Sequence, residues 1–190
     1  MSTDGQASEC IFGRSAEIAE LTRRFSRKSA FLIHGPSGVG KSLLVHHVLA
    51  GFPEAIYCCE TKSPQSVFRS LAESLVRVGD GTAKSPLKRS PVSAKSALSL
   101  KGIALDSFRA QPRVVVLDQL VRPSQAMGAA VREMLMAYAF VVCIARSAHM
   151  EDAGYILSHF PLRNERLEIA PFDPKMAAEF SESVANALKT

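Results

Sequence analysis

The sequence predicts a three-layer α/β/α fold around a five-stranded parallel sheet, and three observations carry the prediction. Five short apolar runs alternate with longer segments whose apolar residues recur at helical spacing, the pattern of strands joined by crossover helices. A glycine-rich turn over residues 35–42 separates one of those runs from one of those segments. The most apolar run, Val114-Val115-Val116-Leu117, ends in a carboxylate, Asp118. With 190 residues and 47% hydrophobic content the chain can bury one sizeable core, whereas two complete domains would be crowded.

The strands are expected at 30–34, 55–60, 113–118, 140–146 and 166–170, each bounded by turn-forming or polar residues. The helices are expected at 15–25, 41–50, 64–78, 94–108, 124–138 and 174–188. Three of them carry start signals. Ser63-Pro64 sets a hydroxyl cap before a proline at the first helical position, Pro123-Ser124 opens the helix after Asp118, and Asp173-Pro174 repeats the cap-and-proline pair. Residues 79–93 are rich in glycine, serine, proline and lysine without apolar periodicity, and read as a mobile loop.

The turn itself, Gly35-Pro36-Ser37-Gly38-Val39-Gly40-Lys41-Ser42, fits the pattern GxxxxGKS in full, between the apolar Phe31-Leu32-Ile33 and the helix-compatible Leu43-Leu44-Val45. The chemistry needs these residue types. Glycines let successive backbone N–H groups turn toward phosphate oxygens at a helix N-terminus. Lys41 then supplies a point charge to the β- and γ-phosphates, and the Ser42 hydroxyl is a magnesium ligand. Residues 35–43 are therefore the expected phosphate-binding set of a P-loop NTPase, with ATP and Mg2+ as ligands. No guanine-reading NKxD motif is visible, which favours adenine.

Such a site also needs an acidic residue at the end of a neighbouring strand, and Asp118 is the expected second magnesium partner. The residue after it is Gln119, where many P-loop ATPases place the carboxylate that polarises the attacking water. An amide orients water without accepting its proton. Slow hydrolysis is the expectation.

Composition excludes several classes. No apolar stretch approaches the ~20 residues of a membrane helix. Residues 1–9 are small and polar, with Asp4 and Glu9, and lack the basic start and apolar run of a secretory signal, so a cytoplasmic protein is expected. Four cysteines, Cys10, Cys58, Cys59 and Cys143, show no metal-binding spacing and read as reduced thiols. The net charge of +5 favours an anionic partner without naming one. Lys84, Lys88, Arg89, Lys95 and Lys101 are the candidates for DNA contact, but no aromatic lies among them to stack on bases. Arg23, Arg24, Arg27 and Lys28 read instead as complements to a helix C-terminus.

Read in order, these features resemble the AAA+ ATPases, in the branch of STAND and NB-ARC-type switch ATPases and of origin-recognition-like or transposition-helper ATPases. Ile11-Phe12-Gly13-Arg14 with Glu17 and Leu21 is similar to the segment that precedes the P-loop there and lies near the adenine. The P-loop and the Asp118 strand follow at a similar spacing. Phe140-Val141-Val142-Cys143-Ile144-Ala145-Arg146 resembles the sensor strand, which implies γ-phosphate sensing by Arg146, with Ser147 the alternative. Residues 167–173 and the helix after them resemble the passage into the helical lid.

The resemblance spans roughly 11–188 and implies three parts: a flexible N-terminus over 1–10, an ATPase core over 11–172, and the first helix of an incomplete lid over 173–190. It implies slow or partner-dependent ATP hydrolysis coupled to a conformational switch, through self-association or a protein partner. Two alternatives stay open: an ATP-gated binding module without significant hydrolysis, and a DNA-associated helper ATPase.

Overall fold

A computed structural model describes residues 13–59, 61–78, 97–120, 124–145 and 154–187. The five apolar runs form strands β1 (Phe31–His34), β2 (Ile56–Cys58), β3 (Val114–Leu120), β4 (Phe140–Ala145) and β5 (Arg166–Glu168). All neighbouring pairs are parallel, in the order β2-β3-β4-β1-β5. The helices are α1 (Ser15–Ser26), α2 (Lys41–Leu49), α3 (Pro64–Val78), α4 (Ala97–Ala110), α5 (Gln125–Met136), the short α6 (Gly154–Leu157) and α7 (Pro174–Ala187).

Two-residue periodicity divides the sheet into two faces, and helices cover both. Leu32, Val115, Leu117, Val141 and Cys143 point into one core with Leu71, Phe108, Val131 and Met134 of α3, α4 and α5. Phe31, Ile33, Val114, Val116, Val142 and Ile144 point into the other, with Leu21 and Phe25 of α1 and Leu44, Val45 and Val48 of α2. Three layers result, as expected.

The caps read from the sequence form as hydrogen bonds. The Ser63 hydroxyl accepts from the Ser66 N–H at 3.1 Å, Ser124 from Met127 at 3.3 Å, and Asp173 from Met176 at 2.8 Å. Each satisfies an N–H that the first helical turn leaves without a partner.

Several expectations need correction. The middle strand of the five is β4, and β1, which leads into the P-loop, lies one place away between β4 and β5. The Asp118 strand is accordingly not the direct neighbour of the P-loop strand: β4 separates them. Periodicity marks a strand and its buried faces but carries no lateral order. β3 also continues to Leu120, two residues past Asp118, across a register irregularity between Leu117 and Leu120. The short α6 and a 3-10 turn at Arg163–Glu165 had no sequence signal. The flexible N-terminus, the loop over 79–93, and Lys84, Lys88, Arg89 and Lys95 lie outside the described residues.

No described helix is long and apolar enough to cross a membrane. Arg23 and Arg24 lie in the last turn of α1, and both donate to Glu20 at 2.6–2.7 Å. Lys101 pairs with Glu133 of α5 at 2.6 Å.

Candidate active site

Because every strand runs the same way, the carboxyl ends of β1, β3 and β4 share one edge of the sheet, where ligands of open α/β sheets bind. There the turn after β1 and the end of β3 enclose a cavity of about 300 Å³, lined by Ser37, Gly38, Gly40, Lys41, Ser42, Leu43, Asp118, Gln119 and Ile144. Eight of these nine residues, all but Ile144, are ones the sequence singles out; Gln119 and Asp118 reach the P-loop residues from two strands away.

The loop's shape follows from its glycines. Gly38 and Gly40 have φ of +83° and +90°, a region that costs other residues energy, and a Cβ built on either meets nothing within 4 Å. That open space lies on the cavity, as a cradle for a ligand of phosphate size requires. Gly40 is also the residue before α2, and as a glycine it offers no side-chain cap to that helix.

Gly35 serves a different purpose. With φ at +146°, its Cβ would stand 2.2 Å from the Ile169 carbonyl oxygen, just where the Ile169 N–H donates to His34 at 2.8 Å. The absence of a side chain lets the loop leave β1 against the backbone that follows β5. Val39 packs its side chain on the core beside α2, which leaves its backbone for any ligand contact.

Lys41 is 6% exposed, and its ammonium donates to the carbonyls of Gly35 at 2.8 Å and Pro36 at 2.6 Å, so it braces the loop from within. Asp118 is 2% exposed. One carboxylate oxygen accepts from the Gln119 N–H at 2.6 Å and the other from the Tyr57 hydroxyl, while the Asp118 carbonyl accepts from the buried Thr61 hydroxyl at 2.6 Å. Gln119 has φ of +58°, left-handed for a residue with a Cβ, at the irregularity in β3.

Neither Tyr57 nor Thr61 is among the expected site residues. Alternation in β2 offers a signal for the first: Ile56 and Cys58 face the core under α3, so Tyr57 must face the α2 side. Thr61 has no comparable signal, because only the path of the chain after β2 brings it to β3. Burial, then the hydrogen bond to Asp118, pushes the Tyr57 phenol well above its ordinary pKa, with the Ser42 hydroxyl acting weakly the other way.

The donor set suits magnesium. A hydroxyl and a carboxylate are hard oxygen donors, and Ser42 and Asp118 both line the cavity. That matches an ion held jointly by protein and phosphate oxygens.

Gly13 and Arg14, of the segment expected near the adenine, pack against the passage from β5 into α7. Arg14 is buried, donates to Glu17 at 2.6 Å and to the Ala170 carbonyl at 2.7 Å, and lies 4.3 Å from the centre of the Phe172 ring; Gly13 backs onto Met176. Neither lines the cavity around the P-loop. Phe12, Arg146 and Ser147 lie outside the described residues.

A family model described as the AAA ATPase domain matches residues 11–188, nearly the whole chain. The chain belongs to the AAA ATPase domain family. Membership carries nucleotide binding with it, as an ATP-binding P-loop ATPase core. Comparison with curated protein sequences finds no match for this AAA domain. Among solved structures it is similar to the Walker-type ATPase PABY2304 of Pyrococcus abyssi, at 13% identity and a TM-score of 0.63, over 95% of this chain and 60% of that one. It is similar also to Cdc6p from Pyrobaculum aerophilum, at 11% identity and a TM-score of 0.59, over 92% of this chain and 50% of that one. At such identities the likeness is one of fold, and this AAA domain spans less than two thirds of either protein.

Proposed function

We propose that this domain binds ATP with magnesium in the cavity between the P-loop and Asp118, hydrolyses it slowly, and converts the state of the nucleotide into a change at the carboxyl edge of the sheet. The convergence of Gly38, Gly40, Lys41 and Ser42 with Asp118 and Gln119 around one cavity carries this reading.

In it, Lys41 exchanges the Gly35 and Pro36 carbonyls for phosphate oxygens, so ligand and loop compete for one ammonium. Ser42 and Asp118 hold magnesium, which when bound neutralises phosphate charge. Gln119 orients water by hydrogen bonding but takes no proton from it, which keeps turnover low. Arg146 follows β4 and is the proposed sensor; Phe12, Gly13 and Arg14 belong to the segment that would lie toward the base. Residues 11–172 form the core of this reading, and 173–190 the start of a lid. Turnover is raised by self-association or by a protein partner.

The amide at Gln119 also favours a second reading, an ATP-gated binding module in which hydrolysis is incidental. Of the basic segment proposed for DNA, the described Lys101 is paired with Glu133.

Nucleotide binding and steady-state magnesium-ATP hydrolysis by the purified chain, each with Lys41→Ala as control, test the proposal. Binding with turnover above the control supports the slow ATPase; binding without turnover supports the gated module. If Lys41→Ala changes neither, the site is assigned wrongly.

A further inference from the structure

The carboxylate of Asp118 is spoken for in this structure. Tyr57, in the middle of β2, donates its hydroxyl to one oxygen while the Gln119 N–H takes the other. The Tyr57 ring packs against His46 of α2, with ring centroids 4.1 Å apart, so it is wedged between the helix that follows the P-loop and the carboxylate at the end of β3. Burial removes water as a competitor: Asp118 is 2% exposed, and a hydrogen bond to a charged acceptor is strong in such surroundings.

We propose that Tyr57 is a gate on the cation site, holding Asp118 in a closed arrangement through its hydroxyl and releasing it only when magnesium arrives with the nucleotide. The inference rests on the magnesium-ATP reading above and deepens it, since it assigns to a β2 residue the control of the carboxylate. Tyr57 does no chemistry of its own; it positions Asp118. In the closed arrangement the phenol proton partly satisfies the buried negative charge, and Tyr57 must give up that bond before the carboxylate can serve a cation. Entry of the cation, rather than of the nucleotide alone, is thereby opposed.

The test compares ATP affinity in EDTA with ATP affinity in magnesium, by calorimetry, for the wild-type chain and for Tyr57→Phe, with a thermal melt to check folding. The ratio of the two affinities isolates the metal-dependent part. It is expected to rise about tenfold in Tyr57→Phe, the scale of one hydrogen bond to a charged group. An unchanged ratio overturns the gate. So does a fall, which would make Tyr57 a residue that orients Asp118 for the metal.

A second readout uses the wild-type chain alone, which has three tyrosines and no tryptophan. A carboxylate bound to a phenol quenches its emission. Magnesium added to the ATP-loaded chain should therefore raise tyrosine fluorescence, and ATP in EDTA should not; flat emission on adding magnesium overturns the gate. Failure of the wild type to bind ATP under either condition would instead sink the nucleotide site itself, and the gate with it.

Discussion

The guanidinium of Arg14 lies 4.3 Å from the centre of the Phe172 ring while donating to the Ala170 carbonyl, which ties the residue before α1 to the passage between β5 and α7. Two segments more than 150 positions apart are held by one side chain. Replacing Arg14 with Ala removes a cation–π contact and two charge-assisted hydrogen bonds, so we expect a loss of about 2–3 kcal/mol in denaturant unfolding. Arg14→Lys should recover less than half of it, because an ammonium lacks the planar fork that serves Glu17, Ala170 and Phe172 together.

Gly35 and Gly38 should respond differently to alanine. At Gly35 the new Cβ meets the Ile169 backbone at 2.2 Å, and backbone cannot rotate away, so unfolding free energy should fall by about 3 kcal/mol. At Gly38 there is room, and the cost should be about 1 kcal/mol from the positive φ alone. ATP binding should nevertheless be lost at Gly38, because the methyl group occupies the cradle. Unfolding curves and binding isotherms on the same two variants separate the effects.

Gln119 combines a backbone effect with a side-chain one. Its left-handed φ of +58° predicts that Gln119→Gly raises stability by about 1 kcal/mol. Gln119→Glu should raise magnesium-ATP turnover roughly a hundredfold, if the carboxylate supplies the missing base. A stabilised Gln119→Gly with reduced turnover, beside a faster Gln119→Glu, would assign strain to the backbone and rate to the side chain. No gain in the glutamate variant would favour the gated module.

His34, at the end of β1, has its pKa lowered below the ordinary 6.5, chiefly by burial; Glu168 acts to raise it, and Arg166 and Lys41 to lower it. The unfolded chain therefore binds the His34 proton more readily than the folded one. Stability from this residue is present above pH 6.5 and falls away as the pH drops below it toward the lowered folded value. Unfolding midpoints measured from pH 8 to pH 5 should fall less in His34→Gln than in the wild type over that window.

The sequence by itself determined the elements and the chemistry they carry. Apolar runs and helical spacing located five strands and the six longer helices to within a few residues, because burial on both sheet faces requires that pattern. Ser63, Ser124 and Asp173 announced helix starts because a first helical turn must borrow an acceptor from the residue before it. The P-loop was legible because its geometry tolerates few residues at Gly35, Gly40, Lys41 and Ser42.

Only the tertiary structure decided which strands are neighbours, and so what meets at the site. The insertion of β4 between β1 and β3 leaves no trace in either strand's own pattern, since a buried parallel strand looks the same whatever lies beside it. The partners of Asp118 came from the same source: Tyr57 and Thr61 reach it from 61 and 57 residues away along the chain. The partners of Arg14 did too: it ties the residue before α1 to Ala170 and Phe172, ahead of α7. Hydrogen bonds of such long range depend on how the sheet is assembled, which local pattern does not encode.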